Sequence, residues 1–156
     1  MKIHIITIFP ESFESYFETS IIWNAIKKGL FEPIFYKLND FSSDNNKRVD
    51  DKAYGMHGQV LSAEPLSKAI EHVFVVVWDN SIPVIYMSPS GKLLNQKTLE
   101  WYSVELGQEL IMICGHYEWI DQRIIDKYVT NEISIWEYVV SSGELSSMVF
   151  IDGLVR

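Results

Sequence analysis

Apolar positions recur along this chain with two periods, and the alternation between them predicts strands and helices in turn. Lys2 to Phe9 is a β-branched run ended by Pro10, which reads as a central strand. Pro10 then starts a helix over Glu11 to Phe17, with acidic residues near its positive end. Ile22, Ala25, Ile26 and Leu30 give the next helix one apolar face, and Gly29 stops it. Pro33 to Leu38 reads as a second strand. From Asn39 to about Gln59 no apolar period exists, so this segment is expected to be a long loop without apolar anchors, either functional or disordered. Pro65 to Phe74 is a helix, and the following Val75-Val76-Val77-Trp78 is assigned to no element. Pro83 to Met87 is a strand, Ser88 to Gly91 a turn, and Asn95 to Leu106 a helix capped by Asn95. Leu110 to Cys114 is short enough for one buried strand. Ile120, Ile124, Ile125 and Tyr128 recur at helical spacing, Ile133 to Ile135 is a strand, and Leu145 to Val155 is a last helix. Strands alternating with helices predict an α/β fold, a mainly parallel sheet flanked by helices, in one domain over residues 1–156.

The chemistry concentrates where three strands end. Tyr86 to Gly91, Cys114 to Glu118 and Ser134 to Glu144 are corners rich in Gly, Ser or Pro, where a backbone can approach a ligand closely. Each alone reads first as an ordinary βα turn. Together they belong to one rim, because ligands of open α/β sheets sit outside the carboxyl ends of strands. None is a phosphate-gripping loop, so a nucleoside-like ligand held by backbone groups fits better. Glu118 follows the second corner, either as a ligand group or as a charge favoured at a helix N-terminus. Asp50 and Asp51 are turn residues or substrate-facing ones, beside the compact basic pair Lys47 and Arg48.

Composition narrows this reading. Thirteen Lys and Arg against 21 Asp and Glu leave a net charge of −8, which disfavours strong RNA binding by this chain unaided. Four histidines (His4, His57, His72 and His116) and one cysteine show no metal-ligand spacing. Cys114 has no internal disulfide partner, suits a reducing, cytoplasmic location and reads as a small core residue. No signal pattern or membrane-spanning run is found, and no membrane partner is expected.

The motifs IITIFPESF, NAIKKGL, VDDKAYG, EPLSKAI, YMSPSGKLLNQ, LIMICGHYEWIDQRI, NEISIWEYVVSSGEL and MVFIDGLVR, in that order, resemble the bacterial tRNA (guanine-N1)-methyltransferase family, TrmD type, along nearly the whole chain. The resemblance implies a SPOUT-class domain with a trefoil knot near its C-terminal end. It implies methyl transfer from S-adenosylmethionine to N1 of the guanine 3′ of the tRNA anticodon, position 37. It also implies a homodimer with each active site at the interface, and the many tryptophans, among them Trp23, Trp101, Trp119 and Trp136, agree with a large apolar one. The cofactor contacts it implies are Tyr86, Met87, Ser88, Pro89, Gly115, Tyr117, Glu118, Ser134, Ile135, Tyr138, Val140 and Gly143. Arg156 would help hold the guanine, Glu118 would bear on a magnesium dependence, and Arg48, Asp50 and Asp51 would meet tRNA.

The chain departs from the family at two glycines, replaced here by Trp119 and Trp136, and at a glycine-rich motif that here reads Tyr54-Gly55-Met56-His57-Gly58. If either replaced glycine needs a positive φ, strain of roughly 1 kcal/mol follows, and each indole would either fill the adenosine pocket or stack on the base. The family's sequence continues past Arg156 into a linker aspartate proposed as general base and a tRNA-binding domain. The 156 residues alone are therefore expected not to methylate tRNA at a useful rate. An inactive module of the same fold, binding a nucleoside or only dimerising, is the alternative.

Overall fold

The computed structural model describes residues 1–52, 58–117 and 119–156. Five strands form one parallel sheet in the order β2-β1-β6-β5-β8: β1 (Lys2–Thr7), β2 (Glu32–Lys37), β5 (Val84–Leu93), β6 (Glu109–Ile113) and β8 (Asn131–Ser134). A second sheet, β3 (Asp50–Lys52), β4 (Gln59–Leu61) and β7 (Trp119–Ile120), is antiparallel at β3/β4 and parallel at β4/β7. Six α-helices complete the described fold: α1 (Glu14–Phe17), α2 (Ser20–Lys27), α3 (Ala63–Val77), α4 (Gln96–Glu105), α5 (Gln122–Tyr128) and α6 (Gly143–Val155).

The period-two pattern of the central strands divides the core between the faces of the sheet. Ile3, Ile5, Leu110, Met112 and Cys114 are buried on one face with Phe13, Phe17 and Phe150. Ile6, Ile111 and Ile113 are buried on the other with Leu66, Ala69, Ile70 and Val73 of α3 and Ile124 of α5. Strands covered on both faces must be apolar at nearly every position, which is why these runs look continuous. Each such Ile or Leu contributes about 1.5–3 kcal/mol by leaving water. Among the described residues no helix is long and apolar enough to cross a membrane.

Several elements differ from the sequence reading. Helix α3 continues through Val75 to Val77 and ends at Trp78, whose left-handed conformation (φ 59°) closes it. Its apolar stripe continues through Phe74 and Val77, which pack against the core, while the solvent-facing Val75 and Val76 between them make the apolar run unbroken and hide the helical period. Strand β5 does not turn at Ser88 but runs on to Leu93, with its register on β8 jumping between Met87 and Lys92, both opposite Ile133. Ile120 belongs to β7, not to a helix. The segment 39–59 does have apolar anchors among its described residues: Val49 is buried, and Phe41 packs against the core in a 3-10 turn with the buried Leu38 that precedes the segment. Polar bonds also organise it, with the Ser42 hydroxyl donating to the Arg48 carbonyl and Asp44 accepting from the Asn46 amide at 2.8 Å. The motif at Tyr54 to His57 lies outside the described residues.

Candidate functional site

The carboxyl ends of β5, β6 and β8 open on one cavity of about 550 Å³, counting its open mouth. All three predicted corners line it. Tyr86, Met87, Ser88 and Pro89 come from the first, and Gly115, His116 and Tyr117 from the second. The third contributes Ser134, Ile135, Tyr138, Val140 and Gly143. Of the twelve positions singled out for a cofactor, Glu118 lies outside the described residues and the other eleven share this space.

Its shape depends on close backbone approaches. The Gly143 amide donates to the Gly115 carbonyl at 2.7 Å, and a Cβ on Gly143 would stand 2.7 Å from that oxygen and collide with the Gly115 amide. Only glycine permits that crossing of the second and third corners. A Cβ at Gly115 would lie 2.9 Å from the Tyr86 ring, whose hydroxyl end therefore packs closely against this glycine. Gly91 stands where a Cβ would be 2.5 Å from the Ile133 nitrogen, so the excursion of β5 closes back onto β8. Tyr117 holds a left-handed conformation (φ 64°), a strained corner costing on the order of 1 kcal/mol. Ser134 Oγ donates to the Trp136 carbonyl at 2.8 Å, and Ser146 Oγ donates to the Gly143 carbonyl at 3.1 Å.

Burial, followed by the nearby Glu132, pushes the Tyr86 hydroxyl up to about 12. Burial and, after it, Asp50 raise Tyr117, while Arg48 pulls the other way. Two of the three substrate candidates thus stand within electrostatic reach of the cavity's mouth. Burial, then Glu144, pushes the Cys114 thiol well above its usual range, so this is a core cysteine and not a nucleophile.

A wider groove adjoins the cavity, sharing Tyr86 and Ser88 with it. Asp51, Lys52, Trp119, Asp121 and Arg123 line it, so the third substrate candidate faces this groove. Neither Trp119 nor Trp136 lines the cavity; they are 45% and 55% exposed. Neither has a positive φ, so the strain expected of a replaced glycine is absent at both. Arg156 is exposed at the end of α6; Ser146 is the last residue of that helix in the lining, and ten residues at 1.5 Å each carry Arg156 roughly 15 Å further along the axis. The structure does not bring Arg156 to its own chain's cavity. Among the described residues no three His, Cys, Asp or Glu side chains stand together as a metal site.

Sequence reasoning missed His116, Ser142 and Ser146 in the lining, although the first two lie inside corners it had marked. It also missed Thr7 and Glu144, which meet behind the cavity at 2.6 Å. Nothing in one sequence pairs residues so far apart.

A family model described as tRNA (Guanine-1)-methyltransferase TrmD matches residues 1–156. The tRNA (guanine-N(1)-)-methyltransferase of Clostridioides difficile is 41% identical over 157 aligned residues, covering all of this chain and 67% of that protein. That of Borrelia garinii subsp. bavariensis is 45% identical and is covered over 63% of its length. The crystal structure of tRNA (m1G37) methyltransferase from Aquifex aeolicus superposes with a TM-score of 0.88 at 34% identity, over all of this chain and 69% of that one. The chain thus spans about two thirds of the length of the relatives it matches.

Proposed function

We propose, on the premise that the chain belongs to the tRNA (guanine-1)-methyltransferase family, that its three-corner cavity binds S-adenosylmethionine and presents the methyl group to N1 of guanine 37 in tRNA. The observation that carries this reading is the convergence of eleven assigned positions on one space floored by the Gly143–Gly115 contact. The lining suits the group. Met87, Ile133, Ile135 and Val140 offer apolar walls to a flat base, and hydroxyls and backbone groups of Ser88, Ser134 and Ser142 offer polar contacts. When bound, S-adenosylmethionine supplies an electrophilic methyl carbon on a sulfonium. The protein's task is alignment, worth roughly 7–11 kcal/mol of barrier when the reacting atoms are held in line. Tyr117 and Tyr138, both exposed at the mouth, flank the side from which a guanine enters.

The trefoil knot is assigned by the resemblance, and the close crossing of the two corners at Gly143 and Gly115 agrees with it. A homodimer is supported by the exposed Tyr16, Leu145 and Val149, which line a further groove along α1 and α6. The distance from Gly143 to Arg156 supports it too, because Arg156 then serves the partner's cavity. Glu118 is assigned to magnesium by resemblance alone, as one carboxylate completing a cation's shell with water and phosphate. Arg48, Asp50 and Asp51 are assigned to tRNA beside the Tyr117 corner.

The test separates binding from turnover. Calorimetry should give one S-adenosylmethionine site per chain, and whatever methyl label the protein transfers to tRNA with magnesium, however slowly, should appear as N1-methylguanosine on nucleoside analysis. Methyl label on a ribose or on another base would overturn the assignment, and chelation of magnesium checks the role given to Glu118.

A further inference from the structure

Behind the cavity floor lies a buried polar pair that the reaction itself does not use. Glu144 is 2% exposed, and its Oε1 accepts a hydrogen bond from the Thr7 hydroxyl at 2.6 Å, with Thr7 itself fully buried at the end of β1. The other carboxyl oxygen, Oε2, is buried and has no partner among the described residues. Thr7 is therefore the one donor to this side chain among the described residues. A buried carboxyl that loses its last donor bears the full desolvation penalty, and leaving its site becomes the cheaper alternative.

Glu144 directly follows Gly143, whose amide holds the Gly115 carbonyl in the cavity floor. The Thr7 oxygen also accepts from the Phe9 amide at 3.0 Å, and the Phe9 ring meets His116 of the cavity wall edge-on at 5.2 Å between centroids. One hydroxyl thus donates toward the floor and accepts from Phe9, whose ring backs the His116 wall. Threonine and serine can do both, whereas valine, of nearly the same shape, can do neither.

We propose that Thr7 and Glu144 are a positioning pair: their hydrogen bond fixes the Gly143 crossing and the His116 wall, and so sets affinity for the nucleoside cofactor without touching it. This rests on the cavity being the S-adenosylmethionine site, as proposed above. A purely structural pair would lower stability and leave the affinity of the folded protein unchanged.

The experiment compares Thr7→Val with Thr7→Ser, at a temperature where circular dichroism shows both fully folded. Thr7→Val should weaken S-adenosylmethionine binding about tenfold by calorimetry and raise its KM with kcat little changed. Thr7→Ser should stay within about threefold of the parent protein. Hydrogen exchange without ligand should quicken over 138–147 and 114–117 in Thr7→Val alone, with α2 unaffected. Parent-like affinity in Thr7→Val overturns the proposal, as does unchanged exchange. Should the parent protein fail to bind S-adenosylmethionine, the functional assignment falls, and the exchange comparison still decides the pair. If Thr7→Val does not fold, Thr7→Ala removes the same hydroxyl without new bulk. Failure of both to fold overturns the positioning role in favour of a structural one.

Discussion

Tyr86 gives the clearest single-residue consequence. Its hydroxyl titrates near 12 because burial disfavours the phenolate, with Glu132 adding repulsion. In the unfolded chain the same group titrates near the ordinary tyrosine value of about 10. A raised folded pKa contributes stability fully present below pH ~10 and lost as pH climbs toward ~12. Two decades of proton concentration are worth about 3 kcal/mol at roughly 1.4 kcal/mol each. Urea unfolding should therefore lose about 2 kcal/mol of this between pH 9.5 and 12, and Tyr86→Phe should flatten part of the slope. An identical slope in that variant would remove Tyr86 as its source. The two tryptophans make a different residue-scale prediction. Because neither lines the cavity, Trp136→Gly should leave S-adenosylmethionine affinity within about threefold. Trp119 lies in the adjoining groove, where an indole can stack on a nucleotide base at about 1–3 kcal/mol. Trp119→Ala should raise KM for tRNA while sparing cofactor binding, and the reverse pattern would place the indole at the cofactor instead.

At the scale of elements, what the sequence made legible was whatever repeats locally. The apolar runs of β1 and β6, the stripe of α3 and the cap of α4 are all periodic or adjacent in sequence. Asn95 accepts from the Thr98 amide at 3.1 Å, and the Thr98 hydroxyl accepts from the Asn95 amide at 2.8 Å, a complete capping box. Asn95→Ala should cost about 1 kcal/mol in denaturant unfolding and leave cofactor affinity unchanged, because α4 contributes nothing to the cavity. The excursion of β5 was illegible for the opposite reason. Ser88-Pro89-Ser90-Gly91 has the composition of a turn, and only the backbone of Ile133, more than forty residues away, draws Gly91 back into the strand. The segment after Leu38 misled similarly, since Val49 is one apolar residue among polar ones and its burial is set by contacts distant in sequence. The corners themselves were readable as glycine and serine clusters at strand ends. Their crossing at Gly143 and Gly115, and the Thr7–Glu144 pair behind it, were not, since both join residues far apart in the chain.

On the whole molecule, a net charge of −8 means that long-range attraction does not gather RNA onto this chain, so specificity must come from local geometry. That makes the placement of Arg156 decisive. Helix α6 leaves the cavity lining at Ser146 and carries Arg156 roughly 15 Å further along its axis at 1.5 Å per residue, so a cis role for Arg156 would require the end of the helix to rearrange. Its exposed Leu145 and Val149 lie along the same helix, on the surface where a second copy would pack. In an isologous dimer a contact made by one chain is made equally by the other, so each cavity would receive the partner's arginine. Subunit mixing tests this directly. One variant carries Arg156→Ala and a sound cavity, and the other keeps Arg156 but loses cofactor binding through a bulky Gly115→Val in the cavity wall. Each alone should be inactive as a homodimer. Mixed by unfolding and refolding together, half of the dimers are expected to be hybrids, and each hybrid would hold one cavity with both a sound wall and an arginine. Activity should then recover to about a quarter of that given by the same amount of parent protein, since half the dimers carry one good site of two. If Arg156 served its own chain's cavity, no hybrid would contain a complete site, and mixing would restore nothing.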